Sequence, residues 1–274
     1  MFFSRLRNNL TIRKKLWILV LLPAIVIIGI SGRQISEVNN QLTSLNKATH
    51  LVEVIGQLKS LNSTAHELHY SENNSDENFT LQQKELIKLA DLTYKNSVAF
   101  SAIEAKQYEK LIEQYKEAIR AIQNAEDEES KHDAIEWQNS IYKELLLTIE
   151  KTNFKAPIQL VDSNLHALLQ LEWLTFWVQD EIWQSEIIIG NENKDLVNLV
   201  RSEMRALIQN QQLFVDRFLA INADESQTKL LLNAFSNIAF EQSTIYREQL
   251  LNDDLLNNIT PEELEQGIQS FTKR

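Results

Sequence analysis

The chain has 274 residues, of which 43% are hydrophobic and 24% charged, enough to bury a sizeable core. It contains only 5 glycines, 3 prolines and no cysteine, which argues against β-rich folds and excludes disulfides, thiolate metal sites and cysteine nucleophiles. The net charge is −11, and the acids lie outside the basic residues 1–15. Such an acidic body excludes nucleic acid as a partner, because phosphate binding needs clustered positive charge.

Residues 16–32 (LWILVLLPAIVIIGISG) form an uncharged, mostly apolar stretch. As a helix it is just long enough to cross roughly 30 Å of hydrocarbon. The sequence therefore predicts a single transmembrane helix at 16–32, with a cytoplasmic basic tail at 1–15 and the body, 33–274, on the other side of the membrane. A cleaved signal peptide and a buried core helix remain as alternatives.

Apolar residues then recur with helical spacing from Ile35 to Leu68, which predicts that the membrane helix continues into the first helix of the body. The polar residues 71–79 predict a break, and Thr80 with Gln83 forms a capping box for the next helix. Further helices are predicted at 102–125 and 129–153, on either side of an acidic run, and residues 96–100 are predicted to form a turn.

Pro157 marks the clearest break in the chain and divides the body into halves of about 33–155 and 156–274. Gly190 suits a helix end, Asp224 suits an N-cap, and Thr260 with Glu263 suits a capping box. The second half is predicted to hold helices at 158–189, 193–221 and 224–252, and from 261 onwards.

The predicted fold class is therefore all-α. An N-terminal transmembrane helix continues into two stacked antiparallel helical bundles, with about eight helices in total. The short connection between the halves implies that the bundles share long helices.

The sequence carries no nucleophile motif, phosphate-binding glycine loop or dinucleotide fingerprint, so neither an enzyme nor a cofactor is predicted. His66 and His69 lie three residues apart and could share a metal, although a solvated or packed pair is the simpler interpretation, and no metal site is predicted. Arg201 and Arg205 lie one helical turn apart. They could hold a small anion or pair with surface acids such as Glu203.

Residues 170–184 (QLEWLTFWVQDEIWQ) concentrate aromatic side chains on one predicted helix. One interpretation is a buried core stripe with acids on the wet side. The other is the wall of a ligand pocket, aromatic with a few polar groups.

Three tracts carry a family resemblance: LTIRKKLWILVLLP at 10–23; YKELLLTIEK (142–151) leading to NLHALLQLEW (164–173); and QNQQLFVDRFLAINADES (209–226). With the all-helical layout, they resemble the nitrate- and nitrite-sensing (NIT) domain of bacterial receptors. The resemblance implies a sensor domain of two stacked helical bundles, anchored in the bacterial inner membrane with its body in the periplasm or outside the cell. It also implies a small ligand bound between helices.

The first body helix of the family carries a Leu-Gln-x-Glu-Arg-Gly-x-Ser-like run. The best match here starts at Gln57 and places Leu61 at the arginine, Asn62 at the glycine and Thr64 at the serine. Nitrate binding needs fixed guanidinium donors, which hold planar oxyanions through paired hydrogen bonds. Because Leu61 stands where the family has arginine, the sequence is also compatible with a less charged ligand.

The second half of the family carries Glu-x-x-Gly-x-Glu-Arg-Ala. Glu172 matches the first position, Thr175 stands at the glycine, and Trp177 and Val178 replace the Glu-Arg pair. Candidate ligand-binding residues are therefore those at or beside these two motifs: Asn62, Thr64, His66, Glu172, Thr175 and Gln179.

The predicted function is a membrane-anchored extracytoplasmic sensor domain that takes part in signal transduction and binds a small molecule or an anion. The alternative is a membrane-anchored helical scaffold or interaction module without a small ligand. A homodimer, formed through the membrane-proximal helix, suits both.

Overall fold

A computed structural model describes residues 12–70, 76–95, 99–152, 156, 158–190 and 193–273. This part of the chain forms ten α-helices and two π-helical turns and contains no strand. The predicted all-α class is confirmed. Helices are the only regular structure because a chain poor in glycine and proline has few residues suited to tight turns.

The helices are, in chain order, α1 (Ile12–Tyr70), α2 (Asp76–Ala90), α3 (Ala102–Gln123), α4 (Glu128–Lys151), α5 (Gln159–Gly190), α6 (Lys194–Arg217), α7 (Glu225–Phe235), α8 (Ile238–Leu250), α9 (Asp253–Leu256) and α10 (Pro261–Lys273). The π-helical turns Asp91–Lys95 and Phe218–Asn222 follow directly on α2 and α6.

Helix α1 is 59 residues long and contains the predicted span 16–32 as well as the first helix of the body. Among the described residues, no helix is long and apolar enough to cross a membrane. Most of the predicted span lies outside the described side chains, the first of which is Ile28. The structure lends no support to a transmembrane helix, which stays a prediction.

Helix α2 begins four residues before the predicted start at Thr80, so the capping box of Thr80 and Gln83 is wrong. The early start places Phe79 in the hydrophobic core, where it is 4% exposed. Burial of that ring outweighs the polar composition around it. Of the predicted turn at 96–100, residues 96–98 lie outside the described residues. Helix α3 is capped by Ser101, whose Oγ accepts from the backbone N–H of Glu104 at 3.3 Å.

The predicted helix at 224–252 is divided into α7 and α8, and the short α9 follows from Asp253. Asn237 and Asn252 cap α8 and α9, with their Oδ1 atoms accepting from backbone N–H groups two residues on, at 3.1 and 3.0 Å. Asparagine offers the backbone this alternative partner, which breaks a helix that apolar spacing alone suggests is continuous. The predicted caps at Asp224 and Thr260 are confirmed.

The chain divides into two compact units, residues 1–47 and 48–274. The second unit contains two hydrophobic cores. The larger core joins the second part of α1 with α2 to α6 and includes Leu58, Tyr115 and Trp173. The smaller core joins α5, α6, α8 and α10 and includes Met204 and Phe271. Helices α5 and α6 therefore contribute to both cores.

In the smaller core, helices α8 and α10 approach each other closely at Gly267. A Cβ atom at this position would overlap the ring of Tyr246, which is 1% exposed. The same ring makes an edge contact with Phe271, with 5.2 Å between the ring centroids. An added Cβ would have to displace the buried ring from its contact with Phe271, so the close approach favours glycine.

We expect Gly267→Ala to lower the free energy of unfolding by about 1–3 kcal/mol, because the extra methyl group overpacks the contact with Tyr246. Chemical denaturation followed by circular dichroism measures this. The matched control is Gly56→Ala on α1, where an added Cβ meets no atom within 4 Å. Alanine should leave stability unchanged there or raise it by up to about 1 kcal/mol. Equal effects at both glycines would contradict the assignment.

Candidate functional site

A small cavity lies between α1, α4 and α5. Its volume is about 20 Å³, room for one water molecule. Its lining residues are Asn62, Ala65, His66, Asn139, Phe176, Gln179, Asp180 and Trp183.

Three of the six predicted site residues, Asn62, His66 and Gln179, line this cavity. Asn62 and His66 lie on α1, and Gln179 lies on α5, more than a hundred residues further along the chain. The two sequence motifs that resemble the NIT family therefore contribute to the same site.

The other three predicted residues do not line the cavity. The hydroxyls of Thr64 and Thr175 donate to backbone carbonyls of their own helices, at 2.8 and 2.9 Å. Glu172 is 3% exposed and accepts from the hydroxyl of Tyr142 at 2.6 Å. Burial raises the pKa of Glu172, although this hydrogen bond and the charge of Lys59 oppose the rise. These side chains are satisfied within the protein, so they stabilise the fold rather than offer groups to a ligand.

Two polar atoms at the cavity are buried without a hydrogen-bond partner in the part of the chain that the structure describes: Asn62 Nδ2 and Gln179 Oε1. A buried polar group left unpaired costs about 1–3 kcal/mol. Such groups are normally satisfied by water or a ligand. Both residues line the cavity, so one donor and one acceptor without a partner in the described structure belong to its wall.

The cavity wall is neutral to acidic. Burial raises the pKa of Asp180 to about 6; the charge of Lys143 opposes the rise, and Glu203 and Glu136 add to it. Burial also lowers the pKa of His66, which keeps its imidazole neutral at pH 7. Among the described residues, neither lysine nor arginine lines the cavity.

The aromatic residues of the stretch 170–184 on α5 all lie in or against the larger core, and two of them also line the cavity. Trp173 and Trp177 are buried in the larger core, and Trp173 stacks on Phe214 at a centroid distance of 5.5 Å. Phe176 and Trp183 line the cavity, and Trp183 stacks on His132 at 4.9 Å. The aromatic stretch therefore contributes to the buried core, and at Phe176 and Trp183 it also forms part of the cavity wall.

Arg201 and Arg205 bind the C-terminal end of α8. Arg201 is 4% exposed, donates from Nε to the carbonyl of Leu250 at 2.8 Å and forms an ion pair with Asp253. Arg205 donates to the carbonyl of Leu251 at 3.2 Å. Cations at a helix C-terminus satisfy its last carbonyls and suit its dipole. Arg201 therefore pairs with a surface acid, although not with Glu203, and the contacts of both arginines with helix carbonyls were not anticipated from the sequence.

A buried polar network, not predicted from the sequence, joins α5, α6 and α8. Glu181 is completely buried, and its Oε2 accepts from Arg247 Nη2 at 2.8 Å and from Gln211 Nε2 at 2.6 Å. Gln211 Oε1 in turn accepts from Arg247 at 3.0 Å. The three residues lie on separate helices, so no local pattern indicates the network.

The predicted histidine pair cannot be assessed, because the side chain of His69 lies outside the described residues. In the part of the chain that the structure describes, no three His, Asp or Glu side chains lie close enough together to hold a metal ion.

Comparisons with protein-family models, curated proteins and solved structures find no match to this chain. The resemblance to the NIT domain therefore stays a prediction. What the structure itself defines is an all-helical protein with a small, partly polar cavity between α1 and α5.

We expect Arg247→Ala to lower the free energy of unfolding by about 3–5 kcal/mol, because it leaves Glu181 as an uncompensated buried charge. The double variant Glu181→Gln with Arg247→Met removes both charges and keeps an amide beside Gln211. It should recover most of that loss. Urea denaturation of the two variants makes the comparison, and equal losses in both would show that the ion pair is not what stabilises these helices.

Stability should also depend on the ionisation of Asp180. Its pKa of about 6 in the folded state lies above its ordinary value, so the folded protein binds the proton preferentially. This contribution is fully present below about pH 4 and is lost as the pH rises through about 6. From about pH 4.5 to about pH 7, the wild type should therefore lose more stability than Asp180→Asn, by on the order of 2 kcal/mol.

Denaturation curves at a series of pH values measure this difference. Glu186, whose pKa burial raises to about 7, contributes equally to both proteins, so the difference isolates Asp180. Parallel pH profiles would contradict the assignment.

Proposed function

We propose that this chain is the membrane-anchored sensor domain of a bacterial signal-transduction protein. In this proposal, α1 crosses the inner membrane over residues 16–32, with the N-terminus inside and the body outside the cytoplasm. The observation that carries the proposal is the composition of α1. This one helix contains both the uncharged stretch and three cavity residues, Asn62, Ala65 and His66.

The size of the cavity suggests how a ligand acts. A guest larger than one water molecule that enters fully between the helices must separate α1 from α5 locally, because the cavity volume is only about 20 Å³. Packed helices respond to such a change by small shifts of one helix against its neighbours. A shift of α1 between two positions is then the signal. The ligand can change the equilibrium between these positions only by as much as its affinities for them differ.

The cavity chemistry favours a small amine or amide over nitrate. A planar anion requires fixed cationic donors, whereas the ionisable side chains at this cavity are Asp180 and the neutral His66. Gln179 Oε1 can accept a hydrogen bond from an N–H group of the guest. Asn62 Nδ2 can donate one to an acceptor of the guest, such as the carbonyl oxygen of an amide. The rings of Phe176 and Trp183 suit the apolar part of an organic ligand or its cationic head.

The NIT-like arrangement of two stacked bundles belongs to the same proposal. The two hydrophobic cores of the body support it, since α5 and α6 contribute to both of them. The halves 33–155 and 156–274 do not correspond to these cores one to one, because Leu165 and Trp173 belong to the larger core.

An interaction module without a small ligand is the second candidate, and α7 favours it. No residue of α7 is buried; Leu230 and Leu232 are 69% and 51% exposed, and Ile238 just beyond is 63% exposed. Exposed apolar surface of this kind is typical of protein–protein contact sites.

Thermal unfolding of the full chain in detergent, with and without added compounds, tests the sensor proposal. We expect a small amine or amide to raise the unfolding temperature, because a ligand at a hundred times its Kd stabilises by about 2.7 kcal/mol. Nitrate should leave it unchanged. The stabilisation should be lost in Asn62→Ala and Gln179→Ala, which remove the two unpaired polar groups of the cavity.

Thr175→Ala is the matched control, since its hydroxyl bonds only to the backbone of α5 among the described residues and lies off the cavity. It should keep the response. Stabilisation by nitrate would overturn the assigned ligand class, and an equal loss in Thr175→Ala would overturn the site. No response to amines, amides, amino acids or anions would favour the interaction module.

A further inference from the structure

The membrane-proximal part of α1 carries an apolar stripe that the described part of the chain leaves uncovered. Every residue from 28 to 43 is exposed. The large apolar ones on the stripe are Ile28 and Ile35, both 70% exposed, Val38 at 54% and Leu42 at 55%. Ile28 falls within the proposed membrane span, but Ile35, Val38 and Leu42 lie beyond it, and a stable helix in water normally covers such a stripe with a partner.

The stripe consists of two series of residues spaced seven apart. Ile28, Ile35 and Leu42 form one series, and Ser31, Val38 and Leu45 form the second, three residues further on. These are the a and d positions of a heptad, whose period of 3.5 residues makes two helices wind around each other. The β-branched Ile28 and Ile35 at a favour a parallel two-stranded coiled coil, whereas Ser31 at d adds no apolar contact.

The residues beside the stripe indicate which partner it fits. The flanking e and g positions are all uncharged: Gly32, Gln34, Asn39, Gln41 and Asn46. The nearby charges, Arg33, Glu37 and Lys47, fall on outer positions of the heptad. Two identical helices in register therefore bring no like charges together, whereas a different partner is normally selected by charges at e and g.

Burial of α1 in the body uses another side of the helix. Leu51, Ile55 and Leu58 are at most 1% exposed, while Val52, the next d position of the heptad, is 45% exposed. The core contacts of α1 and the stripe therefore do not compete for the same side chains.

We propose that residues 28–45 of α1 form a parallel two-stranded coiled coil with the same residues of a second copy of this chain. This proposal stands apart from the sensing function, because the stripe, its spacing and its uncharged flanks are independent of the cavity. If the chain does sense a ligand, the coiled coil joins the two helices that carry the signal.

Disulfide cross-linking of single-cysteine variants tests the proposal directly, since the full chain contains no native cysteine. Ile35→Cys, Val38→Cys and Leu42→Cys place the thiol on the stripe. Under mild oxidation each should form covalent dimers, at least several-fold faster than the matched controls. The controls are Arg33→Cys, Glu37→Cys and Asn40→Cys, at positions that are also exposed but lie on the outer side of the heptad.

The set of positions that cross-link also reports whether the two helices are parallel or antiparallel. Three successive stripe positions each meet their own copy only in a parallel, in-register pair, because an antiparallel pair brings identical positions together at one crossing point. Equal cross-linking of stripe and control positions, or cross-linking at one stripe position alone, would overturn the proposal.

A second measurement does not depend on thiol chemistry. Val38→Asp buries a charge at the dimer interface and should convert the full chain in detergent from dimer to monomer in sedimentation equilibrium. Its helix content and unfolding of the body should stay unchanged, since Val38 is outside both cores. A monomeric wild type, or a Val38→Asp variant that stays dimeric, would overturn the proposal.

Discussion

Between Leu51 and Leu61, α1 inserts its apolar side into the larger core, where Leu51, Ile55, Leu58 and Leu61 are at most 1% exposed. Helices α2 to α6 contribute to the same core. Polar contacts hold the same stretch in place. The hydroxyl of Tyr142 on α4 donates to the carbonyl of Leu58 at 3.1 Å, so the position of α1 is coupled to that of α4. A displacement of α1 must therefore be accommodated by its neighbours, because close-packed interiors do not deform gradually.

The link between α1 and α2 is electrostatic as well as apolar. The carboxylate of Glu85 accepts from Gln57 at 2.6 Å, from Ser60 at 2.9 Å and from Lys88 at 2.6 Å. Burial acts to raise the pKa of Glu85, but these hydrogen bonds outweigh it and leave the pKa below its ordinary value. The group is therefore ionised near neutral pH and stabilises this end of the body. By contrast, Asn62, one helical turn beyond Leu58, has an unpaired side-chain amide nitrogen in the described structure. Within the part of α1 that packs in the body, the cavity thus leaves one polar group of the helix unpaired among the described residues.

Helix α5 separates two environments within a few residues. Phe176, Gln179, Asp180 and Trp183 follow the i, i+3, i+4, i+7 spacing of one helix side and face the cavity. Trp177 and Glu181 lie on another side, in the larger core and in the closed network with Arg247. Glu181 is paired within the protein and so offers no group to a ligand, whereas Gln179, which lines the cavity, keeps an unpaired acceptor among the described residues.

The sequence by itself determined the all-α class and many helix ends, because these depend on interactions within about four residues. Asp224 and Thr260 are examples, since each caps its helix through side chains at most three residues away. Only the tertiary structure decided where α2 begins, because the burial of Phe79 is a long-range effect. The same holds for the use of Arg201 at the end of α8 and for the pairing of Glu181 with Arg247, which lie 66 residues apart. Three of the eight residues that line the cavity, Asn62, His66 and Gln179, could be named from the sequence because they lie at or near the motifs. Thr64, Glu172 and Thr175 lie in the same motifs but off the cavity, because helix packing decides which side of α1 and α5 faces it.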